Sequence, residues 1–175
     1  MKTVSCFLKL NSFKKQDIHY PAGKGFCGLK SAVIVLATCG KIFSDPKKIL
    51  KWSHRIQRLT MPQDIISILK HSDIKNVGMR HAHKPDRQII KDLIDADCMI
   101  ILLRRSAHWI LIVGYDDQKQ EFIAFDSKRV DNKTVLVQAP NTIISFEEFP
   151  KVWKTNFFVD WAVGGNYLYI SVPCN

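Results

Sequence analysis

At Cys98 the sequence changes texture. Ahead of it, apolar residues recur three and four apart; from it onward they come in short β-branched or aromatic runs divided by turn residues. A chain with its helices and strands segregated in this way is expected to be α+β, a helical N-terminal half packed on an antiparallel β-sheet C-terminal half. A cleft between the two halves is the natural seat of an active site. At 175 residues the chain is long enough to bury a core of its own, and residues 1–175 read as one domain. No internal repeat, low-complexity tract or Pro/Gly/Ser-rich linker divides it.

In the first half, Leu29, Ala32, Val33, Leu36 and Ala37 predict a helix that opens at Cys27 and stops near Gly40. Ser44-Asp45-Pro46 marks another helix start, followed by Ile49, Leu50, Trp52 and Ile56. Two more helices are expected over Pro62 to His71 and Asp86 to Ala96. Val4, Cys6, Leu8 and Leu10 alternate as a short strand does, and Lys75 to His81 reads as another. In the second half, strands are expected at Cys98 to Leu103, His108 to Tyr115, Glu121 to Phe125, Val135 to Gln138 and Tyr167 to Val172. A short helix is expected over Ser145 to Trp153.

Charge and cysteine usage narrow the function classes. Residues 1–90 carry 17 Lys and Arg against 5 acids, a balance of +12, and residues 91–175 carry 9 against 11, a balance of −2. The lysines are scattered over helices with no tight run, which suits solvated faces, so no nucleic-acid partner is expected. No apolar stretch approaches the roughly 18 residues that span a bilayer. Lys9, Asn11, Lys14 and Lys15 interrupt the apolar run Val4 to Leu8, so no secretory signal is read. Five cysteines form no CxxC pair and an odd count leaves at least one free thiol, a pattern that suits a reducing compartment. The expected location is cytoplasmic, or outside the cell by a route other than a classical signal peptide. His81-x-His83 has no neighbouring Cys or carboxylate to complete a metal site, so neither metal nor organic cofactor is expected. Gly164-Gly165 reads as a turn before the last strand.

Three places carry chemistry. Gly25-Phe26-Cys27-Gly28 sets a thiol where a glycine-containing loop meets an apolar helix. The positive end of the helix dipole and its unpaired N–H groups favour thiolate there, and the same N–H groups can hold an oxyanion. Gly28 leaves room for a substrate backbone, and Trp109 is read either as lining the substrate cleft or as packing. His108 opens the apolar run Trp109 to Val113, which ends in Gly114-Tyr115-Asp116-Asp117, so a base stands at the rim of a rigid strand. Phe125-Asp126-Ser127 ends the next strand. If the two strands form a hairpin through Asp116 to Gln120, Asp126 returns beside His108 and can orient its ring. The ordering Cys, His, Asp is the one used by papain-like folds.

On these residues the chain resembles the papain-like peptidases that remove double-glycine leaders from bacteriocins, and their stand-alone relatives. Cys27-Gly28 at a helix start, His108 through Asp116, and Phe125-Asp126-Ser127 occupy the positions of that family's motifs, and the order of elements matches over residues 15–172. The resemblance implies a cysteine peptidase acting on a peptide or isopeptide bond of a protein or peptide substrate through a thioester, with Cys27, His108 and Asp126 as its catalytic residues. A free-standing protease or a bacterial effector toxin is the role expected from it. The same triad can serve an amidase, deamidase or acyltransferase, and a chain that kept the fold without turnover would be a binding module. One departure stands out. The family places a glutamine six residues before the nucleophile to complete the oxyanion hole, and Pro21 holds that position here. Gln16, the only glutamine before Cys27, is the candidate for that role, with Lys24 as another donor.

Overall fold

A computed structural model describes residues 1–6, 27–39, 41, 60–105, 107–126 and 140–174. Its elements run β1 (Lys2–Thr3), α1 (Cys27–Thr38), α2 (Pro62–His71), β2 (Gly78–His81), α3 (Arg87–Asp95), β3 (Cys98–Arg104), β4 (His108–Asp116), β5 (Glu121–Asp126), β6 (Thr142–Ser145), α4 (Phe149–Trp153), α5 (Phe157–Val163) and β7 (Leu168–Pro173). The helix expected after Ser44, the strand expected at Val135 to Gln138, Pro21, Lys24 and Gln16 lie outside the described residues.

Local chemistry explains where the helices begin. Pro62 occupies the first turn of α2, and Asp64 accepts the Met61 backbone N–H at 2.9 Å. Asp86 caps α3 by accepting from the Gln88 N–H at 2.9 Å, and Ile90 and Ile94 turn inward one turn apart. In α1 every residue from Gly28 to Thr38 is buried, so the helix is enclosed on all sides.

All neighbouring strands run antiparallel in the order β2-β7-β3-β4-β5-β6, and β1 adds to the far end of β4. The β4–β5 hairpin turns at Asp116, whose Oδ1 accepts the N–H groups of Gln118 and Lys119 at 3.0 and 3.3 Å. A register shift at Val113 lets Gly114 meet β1. A Cβ on Gly114 would stand 2.5 Å from the Lys2 carbonyl oxygen, so only glycine admits β1 there. Of the strand expected over Val4 to Leu10, Val4 follows β1 and donates to the Val113 carbonyl at 2.9 Å, Cys6 lies in a turn, and Leu8 and Leu10 lie outside the described residues.

Helices cover both faces of the sheet. Tyr169, Leu102 and Ile110 are successive cross-strand partners and share a face, on which Trp153 of α4 meets Tyr169 edge-on. Phe146, Phe122, Phe149 and Trp153 follow one another there as tilted ring pairs, and Lys91 of α3 lies over Phe146. Trp109 alternates to the opposite face, where its indole donates to the Thr60 carbonyl at 2.9 Å, just ahead of α2. The α+β arrangement expected from sequence is thus the architecture observed, with helices from the first half packed on an antiparallel sheet built largely from the second. No helix among the described residues is long and apolar enough to cross a membrane.

Three elements depart from the sequence reading. β6 at Thr142–Ser145 and α5 at Phe157–Val163 were not anticipated, and the helix expected from Ser145 begins at Phe149. Gly164, with φ of +83°, ends α5 in the left-handed conformation and forms the anticipated turn with Gly165. The cysteines differ as well. Cys6 and Cys174, 168 residues apart, are joined in a disulfide, leaving Cys27, Cys39 and Cys98 as thiols. A reading of spacing alone misses the pair because the sheet brings the ends of the chain together: Ser5 donates its N–H to Asp97, and Cys174 donates to the Asp97 carbonyl.

Candidate active site

One end of the sheet gathers the polar residues. β3 ends there at Arg104, β4 starts at His108, β5 ends at Asp126 and β6 starts at Thr142. α1 begins at the same place, because the Trp109 N–H donates to the Cys27 Sγ at 3.5 Å. Cys27 is the first residue of α1, where the N–H groups of a helix have no partner within the helix itself.

Gly28 follows directly. A Cβ at this position would stand 2.6 Å from Thr60 Cγ2 and 2.9 Å from Ile65 Cδ1. The glycine therefore lets α1 seat against α2, and the space that sequence reasoning gave to a substrate backbone is filled by Thr60 and Ile65. Trp109 is equally a packing residue: it is 2% exposed, and it is its backbone N–H that reaches the thiol.

His108 connects the other two. Its Nε2 lies 2.6 Å from Asp126 Oδ1, and the two side chains are 4% and 6% exposed. An ionised carboxylate only accepts, so Nε2 carries the proton and Nδ1 is the nitrogen left to hydrogen-bond Cys27. Burial by itself pushes the Cys27 thiol up. The hydrogen bond and charge of His108, with the Trp109 and Gly28 N–H groups, outweigh it and bring the thiol below its ordinary range. Burial by itself pushes His108 down, and the bonds and charges of Asp126 and Cys27 carry it above the ordinary imidazole value. A lowered thiol and a raised imidazole favour a thiolate–imidazolium pair.

Residues that the sequence did not single out stand around this group. Arg104 Nη1 donates to Asp126 Oδ2 at 3.2 Å. Asn141 clamps the Asp126 backbone, its Oδ1 accepting the N–H at 2.8 Å and its Nδ2 donating to the carbonyl at 3.0 Å. Lys30, one turn along α1 from Cys27, is 9% exposed; burial depresses its ammonium, and the Cys27 charge counters part of that effect. Its place three residues after Cys27, as the one charged side chain of α1, was the signal available. His81 stands on the edge strand β2, with β7 and β3 between it and β4, and bonds the Asn166 carbonyl through Nδ1 at 3.0 Å. Among the described residues no three His, Cys, Asp or Glu side chains gather as a metal site requires.

A cysteine at the head of a buried helix, set against a histidine that opens a strand of an antiparallel sheet, defines a papain-like α+β fold. Among solved structures the chain is similar to a double glycine motif protease from an AMS/PCAT transporter, crystallised in complex with the leader peptide. The likeness covers 91% of this chain and 92% of that one, with a TM-score of 0.55 and 14% sequence identity, and so is a likeness of fold. No family model matches the chain. No curated protein matches it by sequence.

Proposed function

We propose that this chain is a cysteine peptidase that opens a peptide or isopeptide bond by acyl transfer. The observation that carries the reading is the continuous contact from Cys27 Sγ at the start of α1, through His108, to Asp126 Oδ1 at 2.6 Å. The Cys27 thiolate attacks the carbonyl carbon, and the charge that develops on oxygen is met by N–H groups at the head of α1. The His108 imidazolium protonates the departing amine, leaving a thioester on Cys27. Water, deprotonated by His108, then displaces the thiol and releases the acid. Asp126 holds the ring in the tautomer both steps need. The substrate class we assign is a peptide segment. The fold relative bound to a leader peptide supports that choice.

Iodoacetamide labelling with peptide mapping between pH 5 and 9 tests the reading. Cys27 is expected to react below the ordinary thiol range, about tenfold or more faster than Cys39 and Cys98 at pH 6, and to lose that advantage in His108→Ala. Equal, slow labelling of all three thiols would sink the peptidase and leave a papain-like scaffold used for binding.

A further inference from the structure

Arg104 and His108 are direct partners in the β3–β4 ladder, so both side chains rise from one face of the sheet. Asp126, opposite Ile110, belongs to that face as well. Its carboxylate is shared: Oδ1 faces His108 Nε2 at 2.6 Å and Oδ2 accepts from Arg104 Nη1 at 3.2 Å. The Arg104 side chain is 32% exposed, whereas the carboxylate and the imidazole are almost enclosed. The last torsion of an aspartate is soft, so a carboxylate with one partner can turn and offer either oxygen. Holding both oxygens sets the plane, and with it the oxygen presented to the ring.

Charge adds a second effect. Once His108 is protonated, two cations draw on one carboxylate. The charged and titratable groups around the ring, among the described residues, are Cys27 and beyond it Lys30 from α1, Asp126 from β5 and Arg104 from β3. Removing Arg104 leaves the whole Asp126 charge to the imidazolium and holds it to higher pH.

We propose that Arg104 is a positioning residue for this site, fixing which oxygen of Asp126 meets His108 and dividing that carboxylate between two cations. The proposal rests on the reading of Cys27, His108 and Asp126 as the working group.

The test is an NMR titration of the His108 ring in wild type, Arg104→Gln and Arg104→Lys, each checked for folding by circular dichroism. Arg104→Gln is expected to raise the His108 midpoint by about half a pH unit or more, and Arg104→Lys, which keeps the charge, to return it toward wild type. Should the Gln variant not fold, Arg104→Met reads the same shift with the aliphatic stem retained. A purely structural arginine would lower thermal stability and leave the midpoint where it was, and that result overturns the proposal. Cys27 labelling is a separate readout: an unactivated Cys27 in wild type overturns the peptidase reading, and an unmoved His108 midpoint overturns the role of Arg104.

Discussion

His108 Nε2 stands 2.6 Å from Asp126 Oδ1, although 18 residues separate them in the chain. The β4–β5 hairpin closes that gap by placing Asp126 opposite Ile110, two residues on from His108 and on the same face. The carboxylate needs only to lean back along the strand to reach the ring. Because both groups are nearly enclosed, their contact is screened little by solvent, and it governs the charge on His108 and, through His108, on Cys27.

The pH dependence of Cys27 alkylation follows from the two shifts. Cys27 lies below its ordinary value of 9.0, so the rate should reach half its first plateau on the acid side of that value. His108 lies above its ordinary 6.5, so the imidazolium that supports the thiolate persists beyond that pH. Asp126→Asn keeps an acceptor but removes the negative charge. The His108 midpoint should then fall and the Cys27 step should rise, measured by ring NMR and by iodoacetamide rates respectively.

Asn141→Ala removes the two hydrogen bonds that hold the Asp126 main chain where β6 begins. We expect a stability loss of about 1–3 kcal/mol, read by urea unfolding, from the groups left unpaired. Cys27 labelling at pH 6 should slow as Asp126 loosens. Asn141→Asp can still accept the Asp126 N–H and should fall between the two.

Gly28→Ala puts a methyl where Thr60 and Ile65 already stand. Overpacking of this kind costs about 1–3 kcal/mol. Seating α1 further from α2 would also draw Cys27 from the Trp109 N–H, so thermal stability and labelling at pH 6 should decline together. Ordinary stability with unchanged labelling would show that α1 seats without the close approach.

Thiol titration of the denatured, unreduced protein should find three thiols among the five cysteines, in keeping with the Cys6–Cys174 pair. Cys6→Ser should lower unfolding stability by about 2–4 kcal/mol, since the bond closes nearly the whole chain. Five titratable thiols would remove the bond from the account of the fold.

What was legible in the sequence was written within a few residues. The apolar spacing of α1, α2 and α3, the Pro62 and Asp86 starts, and the Asp116 turn each depend on neighbours in the chain, so their signals survive without the fold. The hairpin brought His108 and Asp126 together on paper for the same reason. β6 carries a β-branched pattern, Thr142-Ile143-Ile144, but only four residues, too few to stand out beside the charged run that follows. α5 presents Phe158 and Trp161 at 79% and 81% exposure and packs inward through Val159 and Val163, a stripe too short to read as a helix.

The amino-acid order by itself determined the segregation into helices and strands, the places where most helices start, and the likeness of Cys27, His108 and Asp126 to a papain-like set. Tertiary structure alone decided that Arg104 shares the Asp126 carboxylate, that Asn141 holds its backbone, that Gly28 serves α1–α2 packing, and that Cys6 meets Cys174. Caps, turns and periodicity act over one or two turns of chain. Contacts between distant residues depend on strand register and helix seating, which exist only once the core has assembled.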